Sequence, residues 1–552
     1  PGRYSFVSAG QQHKERAVTN VVGFKGRVAA FAIALVVGVV LGTVVQTQFN
    51  LLALQQLGVE IGAGARWSTT VDDLRQFAPF YAALFGVSFL LSTLVTGLFL
   101  KVLGLGHRVM FHAFGAAVAL WVTFTLIDAL TPPPTLIAAT RTLGGVAALL
   151  VTAACAGGLY ARLTSVRGLP CAGYNSVAAL ALVSGLALPG AELRAQQPSQ
   201  DYQVQEVVAG LEHPWSLAFL PDGGALVTER PGRLRRITAA GELVPGEVSG
   251  LPEVFSSGQA GLFEVLISQD FASSGLVFLS YACGGESANH LCVARAKLGK
   301  DRLEQVEEIF RALPAKKGDA HYGGRMAQLP DASLIITLGD GFDYREQAQI
   351  LGNHLGSVVR IGTDGVAPED NPFIDSPEAQ PEVFSYGHRN VQGLVYDPVE
   401  QLLISHEHGP RGGDEINVLR PGQNYGWPVI SYGLDYTGAR ITPFTEYPNM
   451  EQPLLQWTPS IAPSGMTRYR GELFPEWQGD LFVGALADRS VRRVEFADGK
   501  AEDVEALFKD LKARIRDVVT GPDGALYLLT DESDGRVLRV TPKPRRQAGL
   551  CI

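Results

Sequence analysis

Cysteine is scarce, with five in 552 residues, and none stands in a Cys-x-x-Cys-His run, so covalently attached haem is not implied. A strand-to-helix Gly-x-Gly-x-x-Gly turn is missing too, which removes the usual signal for a nicotinamide or flavin nucleotide. Positive charge is not in excess: 46 Lys and Arg against 55 Asp and Glu give a net charge of −9, which argues against a nucleic-acid partner. Charge is also missing locally. Five stretches, 28–48, 76–100, 109–127, 142–161 and 168–191, contain no Lys, Arg, Asp or Glu. Each is about as long as a bilayer crossing, roughly 20 residues.

What charge there is between these stretches has a side. Lys14, Arg16, Lys25 and Arg27 precede the first, Lys101 and Arg108 separate the second from the third, and Arg162 and Arg167 follow the fourth. The alternate connections are poorer in basic residues, with Glu60, Arg66, Asp72, Asp73 and Arg75 in one and the proline-rich 131–141 in the other. By the positive-inside rule the N-terminus is expected in the cytoplasm and everything beyond residue 195 outside it. The fifth stretch is weakened by Pro189 and by glycines, and the arginines before it and small residues at its end also fit a cleavable signal. His107 and His112 invite a haem or quinone reading, but their i,i+5 spacing is off one helical face, and interfacial or packing histidines are the expectation. Because the sequence opens on Pro1, the natural start is expected upstream.

From about residue 202 the character changes to short strand-like runs. Leu-Pro-Asp-Gly at 220–223, Leu-Pro-Asp-Ala at 329–332 and Gly-Pro-Asp-Gly at 521–524 each lie between two such runs, the pattern of a hairpin turn. About 340 residues of this kind suit six four-stranded units of a β-propeller, with a pair of β-sandwiches as the alternative. The expected fold class is therefore an α-helical transmembrane domain followed by an all-β six-bladed β-propeller. We expect a membrane domain of four or five helices at 1–195, a linker at 196–203 and the propeller at 204–545.

Four polar clusters fall at the ends of strand-like runs: His321 with Asp340, Arg389 with Asn390, the segment 407–414, and Arg514 with Arg516 and Asp517. Strand entry and strand exit of one hairpin share an end, so His321 and Asp340 are expected to meet as a proton-abstracting pair, the carboxylate fixing the imidazole tautomer. Arginine offers a rigid fork for a carboxylate or quinone oxygen. The Gly409–Pro410 turn can direct carbonyls at a hard cation such as calcium. Each cluster alone also reads as ordinary turn chemistry.

Together the clusters resemble the soluble PQQ-dependent aldose sugar dehydrogenases and glucose/sorbosone dehydrogenases. The resemblance rests on His-Pro-Trp-Ser at 213–216, Gly-Gln-Ala-Gly-Leu at 258–262, His-Tyr-Gly-Gly-Arg at 321–325 and Leu-Gly-Asp at 338–340. It continues in Gly-His-Arg-Asn-Val-Gln-Gly at 387–393, Glu-His-Gly-Pro-Arg-Gly-Gly-Asp at 407–414, Asn-Tyr-Gly-Trp-Pro at 424–428, Pro-Ser-Gly-Met at 463–466 and Arg-Ile-Arg-Asp at 514–517. It covers nearly all of 204–541 and none of the first 200 residues. It implies PQQ and calcium as cofactors and an aldose as substrate. His321 would take the sugar hydroxyl proton, supported by Asp340. Gln259 and Arg389 would contact the sugar-facing edge and the quinone oxygen, and Asn390, His408 and Asp414 would belong to the cofactor site. Gly409 and Pro410 would hold calcium, and Arg514 and Arg516 would clamp PQQ carboxylates.

One position departs from the family pattern. A lysine that helps hold PQQ is commonly found where this chain has Ala487, and Arg489, two residues on, is the substitute within reach. Two other readings follow from the same residues: a sugar- or calcium-binding propeller without PQQ, and a calcium-dependent lactonase. The latter would need carboxylates and asparagines around an axial metal rather than arginines around a planar cofactor. The expected setting is the bacterial inner membrane with the propeller in the periplasm, the partners being the lipid bilayer and a quinone or cytochrome electron acceptor. Cys283 and Cys292 flank a short loop in the exported half and are placed to form a disulfide.

Overall fold

The computed structural model describes residues 23–130, 135–165 and 202–544. The first part is helical: α1 (Phe24–Gln56), α2 (Ala63–Gln76), α3 (Ala78–Leu103), α4 (Arg108–Leu130) and α5 (Leu143–Leu163). Four of them, α1, α3, α4 and α5, are long and apolar enough to cross a membrane. They cover nearly all of the first four charge-free stretches; the fifth, 168–191, lies outside the described residues. Their outward surface is apolar, with Ile33, Val36, Leu94, Leu98, Trp121 and Val151 each more than half exposed. That inverts the arrangement of a water-soluble bundle and fits lipid as the solvent.

Two compact units divide the chain, and the division does not follow the order of sequence. One comprises the described parts of Pro1–Gly42, Tyr81–Thr123 and Ala147–Glu192. Its helices approach closely where side chains are small. A Cβ on Gly38 would run into the Phe85 ring, and one on Gly157 into the His112 carbonyl. Stacked Phe31, Phe89 and Phe85, with ring centroids 5.2 and 5.3 Å apart, fill the space between α1 and α3.

The other unit comprises the described parts of Thr43–Phe80, Phe124–Val146 and Leu193–Ile552. It holds six antiparallel sheets, five of four strands and one, at 214–237, of three. The expectation of four strands in every unit is thus corrected: after the strand Arg233–Ile237 the chain returns along it through the bridge Ile237↔Leu243 and the Val244 and Val248 amides, bonded to the Arg236 and Leu234 carbonyls, without forming a fourth strand. The first strands of the sheets, Pro214–Phe219, Leu262–Ile267, Gly323–Gln328, Val391–Asp397, Pro463–Arg468 and Ile515–Thr520, contact one another in a closed ring. They are the innermost strands of a six-bladed propeller. The last sheet takes its outer strand from the start of the domain, Tyr202–Leu211 pairing with Gly535–Pro542 in the register Val204↔Val540.

The Pro-Asp turns form as their residue types dictate. In the first, Gly223 takes φ 83°, where a side chain would be strained, and Asp222 Oδ1 accepts the Gly224 amide at 2.9 Å. The second has Ala332 in the same left-handed region, at φ 70°, held by Ser333 donating to Asp331 through both its amide and its hydroxyl. Side chains alternate between neighbouring blades to make the cores. Trp215, Phe263, Phe278, Tyr322 and Met326 lie in one, and Tyr469, Trp477, Phe482 and Phe508 in another. Cys283 and Cys292 are bridged across their hairpin, with Cα atoms 6.0 Å apart. Cys155 is free and exposed on α5, while Cys171 and Cys551 lie outside the described residues.

Helices α1 and α2 also belong to the propeller's surroundings. At 33 residues and 1.5 Å rise, α1 is about 50 Å long and outruns a hydrocarbon core of roughly 30 Å. Its last turns carry Leu51 and Leu54, which are buried with Val59 against Val429. Asn50 Nδ2 donates to the carbonyls of Arg440 and Ile441 at 2.7 and 2.8 Å. From α2, Asp73 Oδ1 accepts the Arg440 amide at 2.8 Å, and Asp72 pairs with the Arg440 guanidinium at 2.7 Å.

Candidate active site

In an antiparallel blade the entry to the innermost strand and the exit from the second strand lie at one end. Every blade contributes there. His213, Gln259, His321, Asn390, Ala462 and Arg514 precede the six innermost strands, and Asp340, His408 and Asp531 follow second strands. Most of these residues line a cavity of about 450 Å³, whose wall includes His213, Gln259, Asn390, His408, Arg514 and Arg516. A cleft of about 30 Å³ is lined by His321, Arg389, Pro410 and Trp427. The His321 amide donates to Gln259 Oε1 at 3.0 Å, linking the two.

His321 and Asp340 meet as their spacing requires, Nδ1 and Oδ1 lying 2.6 Å apart with both side chains buried. The Leu-Gly-Asp glycine permits this approach, since a Cβ on Gly339 would strike the His321 carbonyl. His321 itself sits at φ 53°, a conformation that non-glycine residues adopt mainly where the surroundings enforce it. Asp340 is fully engaged: Trp427 Nε1 donates to Oδ2 and the Phe342 amide to Oδ1, both at 2.8 Å. Burial alone would raise the Asp340 carboxyl, but His321 and then Arg389 outweigh it and keep it ionised. Burial, and after it the Arg389 charge, hold the His321 imidazole below its ordinary value of 6.5. With Nδ1 committed to Asp340, the nitrogen left for a substrate proton is Nε2.

Arg389 donates through Nη1 to the carbonyls of His408 and Gly409 at 3.1 and 2.8 Å, and its guanidinium lies 5.3 Å from the Trp427 ring. The Gly409–Pro410 turn is surrounded by Glu407, Asp414 and Glu415. Burial and then the Glu407 charge push the Glu415 carboxyl well up. Glu407 is engaged by His388 Nδ1 and the Arg389 amide, so the turn's carbonyls are the donors a hard cation would use, in competition with the Arg389 guanidinium. Asp414 is used otherwise. Its carboxylate accepts the Gly409 amide, the Ser460 hydroxyl and the amides of Ile461 and Ala462, so it holds two loops together and does not line the cavity. Burial raises its carboxyl to about 6 in spite of those bonds.

At the far wall Arg516 and Arg514 share Asp531, at 2.7 and 3.4 Å. Arg516 keeps one donor unused: its Nε is buried with no hydrogen-bond partner. A charged donor buried and unmet on a cavity wall fits a carboxylate ligand. Trp215, Phe263 and Tyr322 supply aromatic wall beside it. A planar aromatic tricarboxylate such as PQQ therefore matches both the residues and the room. Ala487 is exposed in the turn after Leu481–Ala485 and adds no charge, and Arg489 donates instead to the Lys512 carbonyl at 3.4 Å.

Several residues here escaped sequence reasoning. Asp531 repeats the Asp340 pattern, a carboxylate just past a second strand, and that position was its signal. Trp427 was visible only as part of a family motif. Thr135, Ala138 and Arg141, which line the small cleft beside His321, gave no signal beyond lying in a proline-rich connection.

Residues 211–539 match the glucose/sorbosone dehydrogenase family model. The chain belongs to that family. An aldose sugar dehydrogenase of Escherichia coli (strain K12) is 41% identical over 339 residues, 60% of this chain and 91% of that protein. The crystal structure of a glucose dehydrogenase is 44% identical and superposes with a TM-score of 0.60, covering 62% of this chain and all of the other. The PQQ-bound aldose sugar dehydrogenase of Streptomyces coelicolor is 29% identical with a TM-score of 0.52, covering 63% of this chain and all of that one.

Proposed function

We propose that this chain is a membrane-bound, PQQ- and calcium-dependent dehydrogenase that oxidises the anomeric hydroxyl of aldose sugars to the lactone. The observation that carries the reading is the pairing of a buried His321–Asp340 couple with a neighbouring cavity on whose wall Arg516 keeps a buried donor unmet. Bound PQQ supplies the acceptor for the hydride leaving the anomeric carbon, and calcium a Lewis acid that polarises it. The residues of the chain do the rest. His321 Nε2 takes the hydroxyl proton, and Asp340 fixes the tautomer and steadies the imidazolium that forms. Arg389 and Gln259 orient the sugar-facing edge, and Asn390 and His408 flank the cofactor. Arg514 and Arg516 bind carboxylates, and the Gly409 and Pro410 carbonyls hold the cation. Asp414 shapes that last turn.

The two electrons pass to a quinone or cytochrome, and the apolar helices hold the protein in the bilayer where such acceptors are found. The orientation that fits the basic residues puts the propeller in the periplasm. A cofactor-free propeller is the second reading, favoured by the missing charge at Ala487. Titration of the purified full chain with PQQ and calcium decides between them. Saturable binding with dye reduction on aldoses, lost on chelation, is the expected result, and failure to bind PQQ refutes the dehydrogenase reading.

A further inference from the structure

The small cleft beside His321 is not made by the family domain alone. Thr135, Ala138 and Arg141, from the connection between α4 and α5, form one side of it opposite His321, Arg389 and Trp427. This segment is fastened at each end. The Thr135 amide donates to Asp343 Oδ1 at 2.9 Å, and the Arg141 guanidinium grips Glu346 through both carboxylate oxygens at 3.1 and 3.2 Å. Its middle is held from α1, where Gln46 Oε1 accepts the Ala139 amide at 2.8 Å. A further part of the rim, Asp435 to Ile441, is tied to Asn50 and Asp73, and Arg345 below it is bonded to Asn50.

We infer that the segment 135–141 is a wall of the sugar site and restricts the enzyme to single-ring aldoses. The inference rests on the dehydrogenase reading above. The wall lines the cleft over His321 together with Phe342, Tyr436 and Trp427. A reducing sugar that presents its anomeric hydroxyl to Nε2 has this wall on one side, and a second ring would have to pass it. Arg141 serves as a brace rather than a ligand, since Glu346 and the Ala138 carbonyl use its donors. Ala138 is the one small side chain on this wall and sets how far it protrudes.

The test uses the full chain loaded with PQQ and calcium, with glucose, maltose and maltotriose as substrates and a dye as acceptor. Wild type is expected to favour glucose over maltose at least 10-fold in kcat/KM. Arg141→Ala, which frees the wall, is expected to narrow that ratio at least 10-fold. Ala138→Phe, which leaves the anchors alone, is expected to raise KM for glucose at least 10-fold with PQQ titration unchanged. Equal efficiency of wild type on one, two and three rings overturns the inference, as does an unmoved ratio in Arg141→Ala together with an unmoved KM in Ala138→Phe. A wild type that binds no PQQ and turns over no sugar overturns the dehydrogenase reading and this inference with it.

Discussion

At the scale of single residues the site divides into groups that act and groups that hold. In the proposed reaction His321 acts as the base, Asp340 orients it, and Trp427 and the Phe342 amide hold Asp340. Replacing His321 by Gln is expected to lower turnover roughly 10²-fold or more while PQQ titration is retained, because a positioned base contributes about that much. Stopped-flow reduction by glucose separates the two effects. The same residue is expected to set the acid limb of the pH profile. A base must be unprotonated to work, and burial with the Arg389 charge holds His321 below its ordinary 6.5, so the midpoint of the acid limb in kcat/KM is expected below pH 6.5. An acid limb centred above 6.5 refutes that account. Arg516 tests the cofactor wall. A charge-assisted hydrogen bond contributes about 1.5–3 kcal/mol, so Arg516→Leu is expected to weaken PQQ binding about 10- to 100-fold in a fluorescence titration. An unchanged Kd removes Arg516 from the cofactor site.

Among the elements, α2 is held by a group that titrates in the physiological range. Burial raises the Asp73 carboxyl to about 6, against the hydrogen bonds from the Arg440 amide and the Thr47 hydroxyl. Asp73 thus holds its proton more tightly in the folded protein than in the unfolded one. Its contribution to stability is complete below the ordinary carboxyl range and is lost as pH rises through about 6, a difference on the order of 2–3 kcal/mol. The Tm difference between wild type and Asp73→Asn is therefore expected to shift in favour of wild type on going from pH 7 to pH 5, and a difference constant across that range excludes the linkage. The hairpin closed by Cys283–Cys292 makes a second case. Cross-linking a loop of this length restricts the unfolded chain by about 2–3 kcal/mol, so Cys283→Ala with Cys292→Ala is expected to lower Tm by several degrees without touching sugar turnover. Non-reducing peptide mapping that finds both thiols free in exported protein refutes the bridge.

Over the whole molecule, the basic residues between the helices predict which connections face the cytoplasm. Reporter fusions after residue 165 are expected to read cytoplasmic and those after residue 200 periplasmic, and the reverse pattern overturns the topology. Much of the architecture was legible because its signals are local: a charge-free run long enough for a bilayer, and a Pro-Asp turn whose glycine or alanine must take positive φ. The His321–Asp340 pairing was legible too, because two ends of one hairpin cannot avoid meeting. What stayed hidden depends on chain segments far apart in sequence. Nothing in the composition of 63–76 marks α2, with its paired threonines, as a helix, and nothing in the local sequence shows that Arg141 finds Glu346. The three-stranded first blade was hidden likewise, since strand count there depends on where the next blade lies. The closure of the ring has a consequence for biosynthesis. The strand Tyr202–Leu211 waits for Gly535–Pro542, and both arginines proposed to clamp the cofactor belong to that final blade. A chain stopped short of it lacks both arginines as well as the partner of its first strand, so an unfinished propeller is expected to leave PQQ unbound.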